Sequence, residues 1–234
     1  MKRYWILLFC ASLLSIAAAV DSKDSDTKKI LWLGSSSTYF HNMPDQVAKV
    51  LTKKTGTEYK SHLVGRGGTL INVYLAPTFV ESNHYGLKKD KSETVLDHIA
   101  GGDYDYAVLQ VGTVSLSPAS PDNNTKGNRG FGREHLDIYC EVLKKAGTTP
   151  IFYEQGWEQG GKSEASDAGQ AVLFQAAVDN GGRIAPCRTA WKRAWKERPE
   201  LELNDLPDRT HPGRLGLYLN MCCFYAAITG ESPV

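Results

Sequence analysis

The chain has 234 residues, with 27 Lys plus Arg against 26 Asp plus Glu and a formal net charge of +1. The basic residues do not gather into a stripe, so a nucleic-acid partner has no electrostatic support. The apolar run from Trp5 to Ile16 is too short to span a bilayer comfortably, and no later segment approaches the roughly 20 apolar residues that a spanning helix needs, which leaves one sizeable α/β domain with a small or carbohydrate-like ligand.

Residues 1–19 have the three parts of a secretory signal: Lys2-Arg3, an apolar run from Trp5 to Ile16, and Ala17-Ala18-Ala19 as a small-residue cleavage site. Their removal leaves residues 20–234 as a single domain and predicts a secreted or periplasmic protein with no membrane attachment. Cys10 falls within this leader behind Phe9 rather than a small residue, which argues against a lipid anchor. Cys140, Cys187, Cys222 and Cys223 remain. A domain of this size does not require disulfides, and the apolar neighbours of these residues suit buried thiols.

Short apolar runs then alternate with segments of helical period, the pattern of repeated βα units and a mostly parallel sheet. Strands are predicted at 30–33, 59–64, 106–110, 150–153 and 183–186, enough for a three-layer α/β/α sandwich. Val47, Val50 and Leu51 keep helical spacing after Pro44, as do Leu136, Tyr139, Cys140 and Leu143 before Gly147. Ala168, Ala171 and Val172 continue the pattern to the Asn180-Gly181-Gly182 stop. Leu215, Leu219, Cys222, Cys223 and Ala226 form the stripe of a last helix that ends at Gly230.

Ligands of open α/β sheets bind beyond the carboxyl ends of the strands. That rule selects Gly34 to Thr38, Gly65 to Thr69, Gln110 to Ser117 and Glu154 to Gly161. The third segment opens a polar loop over residues 112–130 without period, of the length that function usually explains. It contains the sequon Asn123-Asn124-Thr125, meaningful in a eukaryotic secretory pathway.

A serine hydroxyl needs a base to take its proton and a third group to fix the tautomer of that base. Gly34-Ser35-Ser36-Ser37-Thr38 follows the first strand, and Asp208-Arg209-Thr210-His211-Pro212 precedes the last helix. His211 is the candidate base and Asp208 its orienter, since a short turn brings the carboxylate to the other imidazole nitrogen; Asp205 is an alternative acid. Spacing from Gly34 favours Ser36 as nucleophile over Ser35 or Ser37. Acyl transfer also requires donors for the developing oxyanion. Gly67 and Gly68 offer unobstructed backbone N–H groups, and Gln110 a side-chain amide. Trp157, in a Gly-rich polar loop, is the candidate substrate-stacking residue.

These segments resemble the SGNH (GDSL-type) hydrolases. Gly34-Ser35-Ser36-Ser37-Thr38 is similar to the first block, with Ser36 at the nucleophile position. Gly67-Gly68-Thr69 is similar to the second, and Asp208-x-x-His211 to the fifth. The stretch from Ala185-Pro186 through Ala190-Trp191 to the final Tyr-Leu run resembles a branch of bacterial members of uncharacterised substrate. The resemblance implies a flavodoxin-like fold with a five-stranded parallel sheet, no cofactor, and ester hydrolysis through an acyl-serine. In that scheme Ser36 attacks, His211 carries the proton and Asp208 orients it. The oxyanion is held by the N–H groups of Ser36 and the Gly67-Gly68 loop.

Two positions depart from the family pattern. Ser35 stands where an Asp or Asn is usual, and Val114 where the third-block oxyanion Asn is expected; Gln110 is the substitute considered for it. Export and polar loops favour carbohydrate O-acyl substrates. A catalytically silent glycan-binding protein on the same fold is the alternative, motivated by the missing Asn. A metal-dependent hydrolase is the weaker rival, because His41, His62, His84, His98, His135 and His211 show no paired ligand spacing.

Overall fold

The computed structural model describes residues 27–76, 86–87, 94–117, 132–155, 163–206 and 208–233. The leader, Trp157 and all but the first six residues of the 112–130 loop, including the sequon, lie outside the described residues. Five parallel strands form one sheet: β1 (Lys28–Gly34), β2 (Tyr59–Gly65), β3 (Tyr106–Gly112), β4 (Thr149–Gln155) and β5 (Arg183–Ala185), in the order β2-β1-β3-β4-β5. The chain begins in β1, steps out to the edge at β2, and returns past β1 to β3. The order therefore reverses between β1 and β3, and a crevice opens at their carboxyl ends.

Helices cover both faces, which is why the strands read as continuous apolar runs rather than alternating ones. Ile30, Trp32, Val108, Ile151 and Tyr153 face one core, shared with α2 (Met43–Thr55), α7 (Cys187–Glu197) and α8 (Arg214–Thr229). Leu31, Leu33, Leu109, Val111 and Phe152 face the other, shared with α3 (Val95–Gly101), α5 (Arg133–Lys145) and α6 (Ser163–Asp179). Two one-turn helices complete the set, α1 (Ser36–Tyr39) and α4 (Thr113–Leu116). Among the described residues, no helix is long and apolar enough to cross a membrane.

The predicted strands all form, each within a few residues of its expected limits, and β5 stops at Ala185 because Pro186 has no N–H for the ladder. Helices α3 and α7 are not foreseen. Their signals are nonetheless in the chain. Thr94 and Asp97 form a reciprocal capping box at the start of α3. In α7, Pro186 holds the N-cap position without a capping side chain, and the buried Glu154 of β4 takes its place by accepting from Thr189 N–H at 3.1 Å. The four cysteines of the described chain are free; Cys140, Cys187 and Cys223 are buried, and burial pushes the Cys140 thiol up to about 12.

Candidate active site

The crevice between β1 and β3 holds the serine run. Ser35 is extended, and α1 starts at Ser36. Ser35 and Ser37 are buried, at 7% and 5% exposure, whereas Ser36 is partly exposed. Of the three hydroxyls, the one singled out by spacing is also the one that reaches solvent.

Gln110, at the end of β3, lies directly beneath this turn and is 4% exposed. Its Oε1 accepts from Ser35 N–H at 2.7 Å and from the Thr38 hydroxyl. The Ser35 N–H is an obligate donor, so the orientation of the amide follows. Its Nε2 gives one hydrogen to Ser35 Oγ at 2.8 Å and the other to Gln155 Oε1, on β4, at 2.6 Å. Both amide hydrogens are thus committed, and none is left for a substrate oxygen. In this structure Gln110 braces the 34–38 turn, with no amide hydrogen left over for the oxyanion role the sequence suggests. Gly34 permits the close fit, since a Cβ there would lie 2.0 Å from Thr38 Oγ1 and 2.6 Å from Gln110 Oε1.

The β2 loop closes the other side. Tyr74, in a short 3₁₀ turn over Ile71–Leu75, donates its hydroxyl to the Gly34 carbonyl and accepts from Arg66 N–H at 3.0 Å. Gly67 and Gly68 follow, both exposed. Among the described residues their backbone N–H groups make no hydrogen bond. The Gly67 Cα lies beside α1, for a Cβ there would sit 3.0 Å from the Tyr39 hydroxyl. Val114 lies in α4 and offers no donor.

The candidate acid and base lie on a tight turn ahead of α8. Asp205 N–H donates to His211 O at 2.7 Å and Arg209 N–H to Asp205 O at 2.8 Å, with Arg209 at a left-handed φ of 53°. Asp208 Oδ1 accepts from Thr210 N–H at 2.7 Å and His211 N–H at 3.1 Å, and its Oδ2 lies 2.7 Å from His211 Nδ1. The Thr210 backbone bond first, then the imidazole and the His211 backbone, lower the Asp208 carboxyl to about 2. An ionised carboxylate only accepts, so His211 Nδ1 carries the hydrogen and Nε2 presents its lone pair in the neutral ring. Asp205, the alternative acid, points elsewhere, with its Oδ1 3.8 Å from His41 Nε2.

The bridge between this turn and the serine loop is Phe40. Its ring stacks on His211 with centroids 4.3 Å apart and planes inclined by 14°. Among the described residues no hydrogen bond joins Ser36 Oγ to His211. Bonds between a nucleophile and its base are commonly long before substrate binds. A hydroxyl, an imidazole of fixed tautomer, an ionised carboxylate and backbone donors without partners are the parts acyl transfer requires. Among the described residues no three His, Cys, Asp or Glu side chains gather to hold a metal ion.

Phe40 and Tyr74 are unmarked in the sequence, because their roles depend on contacts across the fold; Gln155 falls within the selected strand-end segment Glu154 to Gly161, but its bond to Gln110 is not foreseen.

No family model and no curated protein matches the chain. Solved structures do. A variant of Axe2, an acetyl xylan esterase from Geobacillus stearothermophilus, is 16% identical with a TM-score of 0.63, covering 87% of this chain and 95% of that one. A structure from Parabacteroides merdae described as a GDSL-like lipase is 16% identical with a TM-score of 0.61, over 87% and 95%. TesA is 12% identical with a TM-score of 0.58, over 87% and 99%. The likeness is one of fold, and it is the fold that the resemblance to SGNH hydrolases implied.

Proposed function

We propose that this chain is an exported serine esterase that removes acyl groups, carbohydrate O-acetyl groups above all, through an acyl-serine intermediate. Ser36 Oγ attacks the ester carbonyl while His211 Nε2 takes its proton. The tetrahedral oxyanion is held by the backbone N–H groups of Ser36 and Gly67-Gly68. His211 then protonates the departing alcohol, and the same base activates water to release the acid and regenerate Ser36. Asp208 stays ionised throughout and stabilises the imidazolium.

The observation that carries this reading is the 2.7 Å bond between Asp208 Oδ2 and His211 Nδ1, on a turn whose imidazole stacks against the residue that directly follows α1. The sugar assignment draws on the acetyl xylan esterase among the structural neighbours and on the polar composition of the strand-end loops. Nothing in the fold or the comparisons supports a catalytically silent glycan-binding protein.

The test is hydrolysis of acetylated xylooligosaccharides and aryl acetates, alongside labelling by a serine-reactive phosphonate. Ser36→Ala should abolish labelling and lower kcat on the order of 10⁴- to 10⁶-fold. Undiminished turnover in that variant would end the proposal; activity on aryl acetates alone would remove the sugar assignment and leave the esterase.

A further inference from the structure

We propose that Phe40 is a positioning residue that holds the imidazole of His211 at the angle the reaction needs; the inference rests on the esterase reading above. Three contacts converge on it. The Phe40 backbone N–H donates to the carbonyl of Ser36, which ties the residue to the nucleophile itself. Its ring covers one face of His211 at 4.3 Å and 14°. Asp208 meanwhile grips the Nδ1 edge of that ring at 2.7 Å. An imidazole held by one hydrogen bond still rocks about that bond. A flat aromatic surface against its face removes the motion and leaves the Nε2 edge facing outward.

The segment after Phe40 is built to keep it in place. His41 and Asn42 both adopt left-handed backbone, at φ 53° and 55°, which reverses the chain into α2 and sets the Phe40 side chain toward the acid–base turn. His41 is secured at both ends. Its carbonyl accepts from Gln46 Nε2 at 2.5 Å, and its Nε2 lies 3.8 Å from Asp205 Oδ1. Asp205 in turn donates its N–H to the carbonyl of His211 at 2.7 Å. The 40–42 bend and the 205–211 turn therefore meet twice, ring on ring and His on Asp. Residue 40 thus touches Ser36 through its backbone and His211 through its side chain.

The experiment compares Phe40→Leu, which keeps an apolar side chain without the flat face, with Phe40→Tyr, which restores it. Activity is followed on aryl acetate, and the ring protons of His211 by NMR. In the wild type those protons should be shifted upfield by the overlying ring, a shift lost in Phe40→Leu and kept in Phe40→Tyr. Phe40→Leu should lose about 100-fold in kcat, the scale that a displacement of ~1 Å brings, with KM unchanged, and Phe40→Tyr should recover most of it. A loss confined to KM would make Phe40 a wall of the substrate pocket and overturn the proposal. So would equal losses in both variants accompanied by equal falls in Tm, since that is the signature of packing alone. Should the wild type hydrolyse no ester and resist the phosphonate, the esterase reading falls, and the positioning role falls with it. The upfield shift is read separately and still decides whether the two rings stack in solution.

Discussion

At the scale of single residues, the site is governed by how completely its polar atoms are used. Gln110 satisfies two donors and two acceptors at once, and its removal would orphan Ser35 N–H and the Thr38 hydroxyl in a buried place. Each buried group left unpaired costs about 1–3 kcal/mol. Gln110→Met should therefore lower stability to denaturant by several kcal/mol and depress kcat together. A variant with unchanged Tm and reduced kcat would return Gln110 to the oxyanion role. Asp208 yields a second prediction. Its carboxyl is held at about 2 in the fold against an ordinary 3.8. The folded-state value is the lower one, so its contribution to stability is present above 3.8 and is lost as pH falls toward 2. Carboxyl carbon NMR should show a midpoint near 2; a midpoint near 4 would mean that the turn's hydrogen bonds do not persist in solution. Asp208 and His211 were legible because their chemistry is local, with three residues and one turn supplying every contact. The Gln110 to Gln155 bond was not, because it joins residues 45 positions apart and exists only through the register of β3 on β4.

At the scale of elements, sequence pattern located what is apolar and periodic and passed over what is held by tertiary contact. The strands announced themselves, since burial on both faces demands continuous apolar runs. Helix α7 did not, because the group that caps it is Glu154, borrowed from another strand. Helix α4 is too short to carry a period, and its place is set by α6. A Cβ at Gly169 would sit 1.7 Å from the Thr113 carbonyl, so the two backbones approach only because position 169 has no side chain. Gly169→Ala gains about 1 kcal/mol of helix propensity and yet should destabilise the protein, because relief of the clash must displace α4, at a typical cost of 1–3 kcal/mol. A raised Tm in that variant would show that α4 shifts without penalty.

At the scale of the whole molecule, one buried polar chain ties the layer of α2, α7 and α8 to the sheet. Asn220 on α8 accepts from Trp191 Nε1 at 2.8 Å and donates to the Tyr153 hydroxyl of β4 at 3.1 Å, while its Nδ2 also reaches the Met43 sulfur at 3.9 Å. Asn220 is fully buried. Asn220→Leu would keep the volume and strand both aromatic partners, an expected loss of about 2–4 kcal/mol that calorimetry would register as a Tm lower by about 4–16 °C. A fall of less than ~2 °C would show that the chain specifies packing rather than stabilising it. The sequence placed this helix but not its face: of the predicted stripe Leu215 is exposed and only Cys223 is buried, while the packed side runs through Leu217, Asn220, Phe224 and Ile228, and nothing local marks an Asn that bonds to three other elements.

The proposed nucleophile follows the first strand and the proposed base precedes the last helix, so hydrolysis demands that distant stretches of polypeptide fold against one another. Two complementary fragments divided between β3 and α8 would each be inert alone, and the return of turnover on mixing would count how many pairs had found each other, making the protein a split reporter of its own reassembly.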